Sequence, residues 1–254
     1  MSNIGRGFGW KKEPFDQRDH RFSARPGLTR VTEVRHDQLD RYVRDQDMSS
    51  SCVGHACVAA LELLCAILGL PVTRLSPLHA YWLARAKDDF QFEDGGAFIR
   101  SCLLAMRAVG CGPESMLPLN AATLAAINER PSEALENAGI KAADFRFERI
   151  TGGPEAVLDA LQLGHPVVMG TNVTSAFVRP KKGEVIPAPK RGDSREGGHA
   201  FLICGYDRFG ARLIMKNSWS IGWGDGGFAL LEPEWVDDPT TQDVHAIIAV
   251  KEAA

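Results

Sequence analysis

With 254 residues, of which 44% are hydrophobic, the chain can bury a sizeable core, either as one domain or as two lobes folded together. A formal charge of −3, with acidic and basic residues interspersed, argues against nucleic acid or another polyanion as a partner. No apolar run is long enough to cross a membrane, and Met1 to Trp10 lack the pattern of a secretory signal, so a cytoplasmic location is expected.

Residues 1–45 are polar and charged, with Pro14 and Pro26 interrupting, and read as an arm with little regular structure packed across the body. From Ser51 to Leu70 the apolar residues Val53, Ala56, Cys57, Ala60, Leu61, Leu64, Ile67 and Leu68 recur at helical spacing; Ser49 to Ser51 are cap candidates and Gly69 the stop. Further helical patterns run over Pro77 to Ala86, Ala97 to Val109 and residues 122–138, the last ending at Gly139. The second half changes character. Phe145 to Ile150, Pro166 to Gly170, His199 to Tyr206, Ala211 to Lys216 and Gly226 to Leu231 are short β-rich runs, interrupted by one helix at Pro154 to Leu163. Phe177 to Gly198 reads as a long loop. The expected fold class is α+β, with an arm over 1–45, a helical lobe over 46–140, an antiparallel β-rich lobe over 141–254, and a cleft between the lobes.

The six cysteines (52, 57, 65, 102, 111 and 204) sit in apolar helix-like or strand-like segments and read as buried free thiols. Cys52 differs by standing at the start of the long helix, where unsatisfied N–H groups and the helix dipole favour a thiolate, the reactive form of the group. Cys52, His55 and Cys57 crowd one helix, but no second ligand pair stands at metal spacing. Neither a metal nor a cofactor is expected. His20, His36, His79, His165 and His245 have no motif context and read as ordinary.

Three separated segments belong together: Gln46 to Cys52, Gly197 to Ala200, and Lys216-Asn217-Ser218-Trp219-Ser220-Ile221-Gly222-Trp223-Gly224. Over roughly residues 40–230 the chain resembles the papain-like cysteine peptidases, whose Gln, Cys, His and Asn occur in this order. Taken singly, Cys52 reads as a buried helical thiol, His199 as a strand histidine and Asn217 as a turn residue; their joint order is what carries the resemblance. It implies Cys52 as nucleophile, His199 as base and imidazolium partner of the thiolate, and Asn217 as the group orienting the imidazole. Gln46 and the Cys52 backbone N–H would form the oxyanion hole, each donor worth about 2.7–4 kcal/mol in the transition state. Trp219 would shield the His–Asn hydrogen bond, and Gly222, Trp223, Gly224 and Gly227 would form the turn into the next strand.

By the same resemblance, Gly95 and Gly96 would dock an extended substrate, the second glycine pairing with its backbone, while Ala97 and Phe98 border the neighbouring pocket and Gly198 leaves the imidazole room. Ser49, Ser50 and Val53 depart from the usual Cys, Gly and aromatic residue, removing a structural bridge but no catalytic group. His55 stands where an apolar or aromatic residue is usual and is expected to pack under the nucleophile. The implied partners are a peptide or protein substrate and a protein inhibitor. Two other readings stand beside the peptidase: a thiol-dependent deamidase, transglutaminase-like transferase or amidase, and a catalytically silent peptide-binding module.

Overall fold

A computed structural model describes residues 6–208 and 211–250; residues 1–5 of the expected arm and 251–254 of the β-rich half lie outside the described residues. Helix α1 (Cys52–Ile67) is shorter than its periodic stretch, since the chain leaves the helix at Leu68 and turns at Gly69 with φ 68°. Ser51 takes the N-cap position without capping. Its hydroxyl instead meets Ser49 Oγ at 2.6 Å and His55 Nδ1 at 3.2 Å. Helix α2 (Pro77–Lys87) starts as expected, with Ser76 Oγ accepting from His79 N at 3.2 Å and proline in the first turn. Helix α3 (Ile99–Val109) begins after Ala97 because that residue's backbone is extended and paired elsewhere. The pattern over 122–138 divides into α4 (Ala121–Ala125), capped by Asn120, and α5 (Glu133–Asn137), capped by Ser132, with Pro131 between them.

The strands are β1 (Arg21–Phe22), β2 (Val34–Arg35), β3 (Phe145–Ile150), β4 (Val167–Thr174), β5 (Val185–Ile186), β6 (Arg195–Asp207), β7 (Arg212–Lys216), β8 (Phe228–Leu231) and β9 (Asp243–Ala249). Helix α6 (Gly153–Gln162) follows β3, and α7 (Ser175–Val178) follows β4. They form one sheet in the order β1-β3-β9-β4-β6-β7-β8-β5, with β2 pairing β6, and most neighbours are antiparallel. The arm thus contributes two short strands, and the expected loop over 177–198 contains the end of α7, β5 and the start of β6. Strand β9 had no counterpart in the sequence reading.

Alternation along β6 explains its unbroken apolar run: Ala200, Leu202 and Cys204 face the core built on α1, whereas Phe201, Ile203 and Tyr206 face the core holding α6, Phe177 and Trp219. Both faces of the strand are buried, so neither can be polar. All six cysteines are buried and unpaired. Between the lobes, a buried ion network holds the arm in place. Lys216 Nζ meets Asp40 Oδ2 at 2.9 Å, Arg74 reaches both Asp40 (2.9 Å) and Glu62 (2.8 Å), and Arg44 clamps Glu62 (2.7 Å) and Glu114 (2.8 Å). Among the described residues no helix is long and apolar enough to cross a membrane.

Candidate active site

Cys52 is the first residue of α1, fully buried, at the positive end of the helix dipole. Strand β6, whose Ala200 N–H faces the Cys52 sulfur, carries His199, also fully buried and in register with Thr171 of β4. His199 Nε2 lies 2.8 Å from Asn217 Oδ1, and that oxygen also accepts from Ser218 N at 2.8 Å. An oxygen that only accepts fixes the proton on Nε2, which leaves a lone pair on Nδ1 in the neutral ring. Nδ1 has no hydrogen-bond partner. Trp219 stacks on the imidazole with centroids 4.3 Å apart and 29° between planes, covering the His–Asn bond.

Burial pushes the Cys52 thiol up to about 11, against the opposing pull of backbone N–H groups of Ala200, Gly9 and Val53 turned toward the sulfur. Burial likewise lowers His199 to about 4, with the Asn217 hydrogen bond working in the other direction. Both shifts work against the thiolate–imidazolium pair that the resemblance implies. Desolvation of both groups is the physical reason.

Gln46 is fully buried and held at both ends of its amide. Oε1 accepts from Ser218 Oγ at 2.6 Å, while Nε2 donates to Ser49 O at 2.8 Å and to Gly7 O at 3.0 Å. Ser49 Oγ in turn donates to Gln46 O at 2.6 Å, so the serine in place of a bridging cysteine supports the same loop by hydrogen bonding. Within the first turn of α1, buried His55 has Nδ1 3.0 Å from Ser51 O, and burial lowers its pKa to about 3. His55 and Asn217 both line a cavity of about 20 Å³, room for a single water beside the unpartnered His55 Nε2 and Asn217 Nδ2.

The cleft is filled by the chain's own arm. Gly7 N donates to Asp47 O (3.3 Å), Ala97 N to Gly9 O (2.7 Å), Lys11 N to Ala97 O (3.0 Å) and Trp10 N to Gly198 O (3.0 Å). Trp10 and Ala97 form a parallel bridge. The fit depends on missing side chains: a Cβ on Gly9 would lie 1.8 Å from Ser50 O, one on Gly7 1.8 Å from Ser49 O, one on Gly170 2.1 Å from Trp10 Nε1 and one on Gly197 2.5 Å from the Phe8 ring. Phe8 meets Trp219 edge-on at 6.0 Å, and Lys11 Nζ sits 4.0 Å from the Phe90 ring centroid. With the cleft occupied, the open cavities are elsewhere; one of about 260 Å³, lined by Arg35, Arg41, Lys181 and Phe228 among others, includes none of these groups.

Asn217 and Trp219 contact the His199 ring, Ser218 of the same run ties Gln46, Gly198 precedes His199 on β6, and the Ala200 N–H that follows it faces the Cys52 sulfur, while no hydrogen bond joins that sulfur to His199 Nδ1. Of the expected substrate-docking residues, Ala97 and not Gly96 makes the backbone pairing seen here. Gly96 N–H is already taken by Tyr81 Oη at 2.9 Å, and Gly96 at φ 90° lets the Gly9 backbone come close. Gly95 lies beside Lys11 Nζ, a Cβ there being 3.6 Å away, and Phe98 takes the N-cap position of α3 while pairing edge-on with Phe90 at 6.2 Å. The sequence set the arm across the body without placing it in the cleft. The alternation Gly7-Phe8-Gly9-Trp10 was the visible signal of that placement.

These elements define a two-lobed α+β thiol site. The family model "Papain family cysteine protease" matches residues 31–236, and the chain belongs to that family. An uncharacterized peptidase C1-like protein of Acanthamoeba polyphaga mimivirus is 27% identical, over 64% of this chain and 55% of its own length. Cathepsin O of Mus musculus is 28% identical, over 77% of this chain and 62% of its own length. The chain thus spans a little over half the length of these relatives. Among solved structures, xylellain, a cysteine protease from Xylella fastidiosa, has the same fold with a TM-score of 0.80 at 23% identity, covering 97% of each chain. Digestive procathepsin L 3 of Tenebrio molitor larval midgut aligns with a TM-score of 0.71 at 16% identity, covering 96% of this chain and 76% of its own.

Proposed function

We propose that the chain is a papain-like cysteine peptidase that hydrolyses peptide bonds through Cys52, His199 and Asn217, and that residues 6–13 hold it latent. The observation that carries the reading is the His199 ring, tethered at Nε2 by Asn217 at 2.8 Å and roofed by Trp219, with Nδ1 left free in the site that also holds Cys52. In the open enzyme, Nδ1 takes the thiol proton and the sulfur attacks the substrate carbonyl carbon. The oxygen of the tetrahedral intermediate takes hydrogen bonds from Gln46 Nε2 and the Cys52 backbone N–H. Collapse breaks the C–N bond, the imidazolium gives its proton to the leaving amine, and a thioester remains. Water, deprotonated by His199, then hydrolyses the thioester and restores the thiol.

Latency rests on how the arm is seated. Gly7 O occupies the Gln46 donor, and at the sulfur the arm presents the Gly9 backbone N–H. The arm thereby occupies both the oxyanion donor and the approach to the sulfur, which keeps a substrate out. A peptidyl epoxide or fluoromethylketone, applied to a variant lacking residues 1–12, is expected to modify Cys52 alone, as read by mass spectrometry of the digest, and Cys52→Ala is expected to lose the label. Modification of another residue, or none, contradicts the assignment. A panel of peptide, isopeptide and glutamine substrates then separates peptidase from transferase and deamidase chemistry.

A further inference from the structure

Beyond the thiol site, a second polar cluster lies where the arm meets β9. Glu13 of the arm and Asp243 and His245 of β9 are all buried, and one ligand atom from each lies within 4.8 Å of the others. Most carboxylate oxygens here are engaged. Glu13 Oε1 accepts from Arg100 N, Asp243 Oδ2 accepts from Trp10 Nε1 (2.9 Å) and Glu13 N (3.1 Å), and Asp243 Oδ1 accepts from Arg149 Nη2 (3.1 Å). Glu13 Oε2 and both nitrogens of the fully buried His245 make no hydrogen bond, although Oε2 faces His245 Nε2 at 3.6 Å and Arg100 Nε at 3.7 Å.

Distance distinguishes two explanations. A charge-assisted His–Glu hydrogen bond would close to about 2.8 Å, but His245 Nε2 and Glu13 Oε2 are 3.6 Å apart. Two donors held at about 2.0–2.1 Å from one tetrahedral ion stand roughly 3.4 Å apart. Charge agrees. Glu13, Asp16, Asp19 and Asp243 face Arg100 and Arg149, and Arg18 reaches Asp16 from the surface, which leaves one carboxylate in excess.

We propose that Glu13, Asp243 and His245 form a divalent-cation site, its one-nitrogen, two-carboxylate set suited to Zn²⁺, that clasps the arm in the cleft. Two ligands come from the sheet and one from the arm, so the ion enters when the arm lifts and fastens it when it returns. The clasp lies on the segment that places Gly7, Gly9 and Trp10, and its regulatory role rests on the peptidase reading above; cation binding itself does not.

The test uses the full chain as Cys52→Ala, so that the thiol cannot supply the ligand, titrated with Co²⁺ as a spectroscopic probe and with Zn²⁺ by calorimetry. One ion per chain is expected, with visible cobalt bands and no sulfur-to-cobalt charge transfer. Adding Glu13→Gln, which keeps the arm's shape, should weaken affinity about tenfold or more, the lower bound seen even for outer-shell partners. His245→Gln should do the same. No cobalt band, a thiolate band, or affinity unchanged by Glu13→Gln overturns the site. In the chain with Cys52 intact, Zn²⁺ should slow epoxide labelling, and Glu13→Gln should abolish that slowing; slowing that persists places the ion on the thiol and overturns the clasp. Should the variant lacking residues 1–12 resist every thiol probe, the peptidase reading fails while the cobalt titration still decides the site.

Discussion

At the scale of single residues, the site depends on a few side chains held from both ends. Ser218 Oγ holds the Gln46 carbonyl and Ser49 O its amide, so in the proposed mechanism the donor is aimed before any oxyanion forms. In a chain freed of its arm, Gln46→Ala is expected to lower kcat by about 10²–10³-fold, near the loss from one oxyanion donor elsewhere. Steady-state kinetics reads this, and an unchanged kcat would remove Gln46 from the mechanism. Acidity gives a second expectation. With the arm seated, burial holds Cys52 near 11 and His199 near 4, so its labelling rate should still be climbing above neutral pH. Release of the arm readmits water and favours the charged pair, which moves the rise to lower pH. The order Gln, Cys, His, Asn was legible in the sequence because each sits in a local motif. The cluster of Glu13, Asp243 and His245 was not, because Glu13 lies 230 residues from Asp243 in the chain and meets that strand only through the arm's path.

At the scale of elements, helix starts were legible where a side chain caps them and less so where the backbone is used otherwise. Ser76-Pro77 fixed the start of α2 by capping; Ser76→Ala should cost about 1 kcal/mol, read by denaturant unfolding. Helix α3 was expected two residues too early, since propensity cannot reveal that Ala97 is drawn into extended pairing with Trp10. Strand β9 escaped notice for a similar reason. Its Asp243 and His245 break the apolar run, and only their burial against the arm and β3 explains them. Arg44, the cation that joins Glu62 of α1 to Glu114, is a stronger test of packing. Replacing it with Ala leaves a buried carboxylate short of its bidentate partner, for which about 3–5 kcal/mol of destabilisation is expected in equilibrium unfolding. A loss below 1 kcal/mol would mean the network contributes little.

At the scale of the whole molecule, the two lobes and the arm share polar ties that respond to acid. His55, His79 and His199 have pKa values lowered to about 3, 4 and 4, chiefly by burial, so the unfolded chain takes up protons first as pH falls below about 6.5. Stability should therefore decline from pH 6.5 toward 4. His79→Gln should flatten the decline, because His79 Nδ1 accepts from Gly112 N at 2.8 Å only while neutral. Asp40 acts at lower pH. Burial would raise its pKa, but Lys216 and Arg74 outweigh that and hold it below the ordinary carboxylate range, so its contribution is present above about 3.9 and is lost as pH falls further. Thermal unfolding across this range checks both. The most direct measurement is the rate at which a peptidyl epoxide alkylates Cys52 in the full chain and in its Gly9→Ala variant at one pH. A methyl group 1.8 Å from Ser50 O cannot be accommodated, so the arm should leave the cleft and labelling should accelerate about tenfold or more, equivalent to at least 1.4 kcal/mol of lost docking. An equal or slower rate in Gly9→Ala would contradict a peptidase site blocked by its own N-terminal segment.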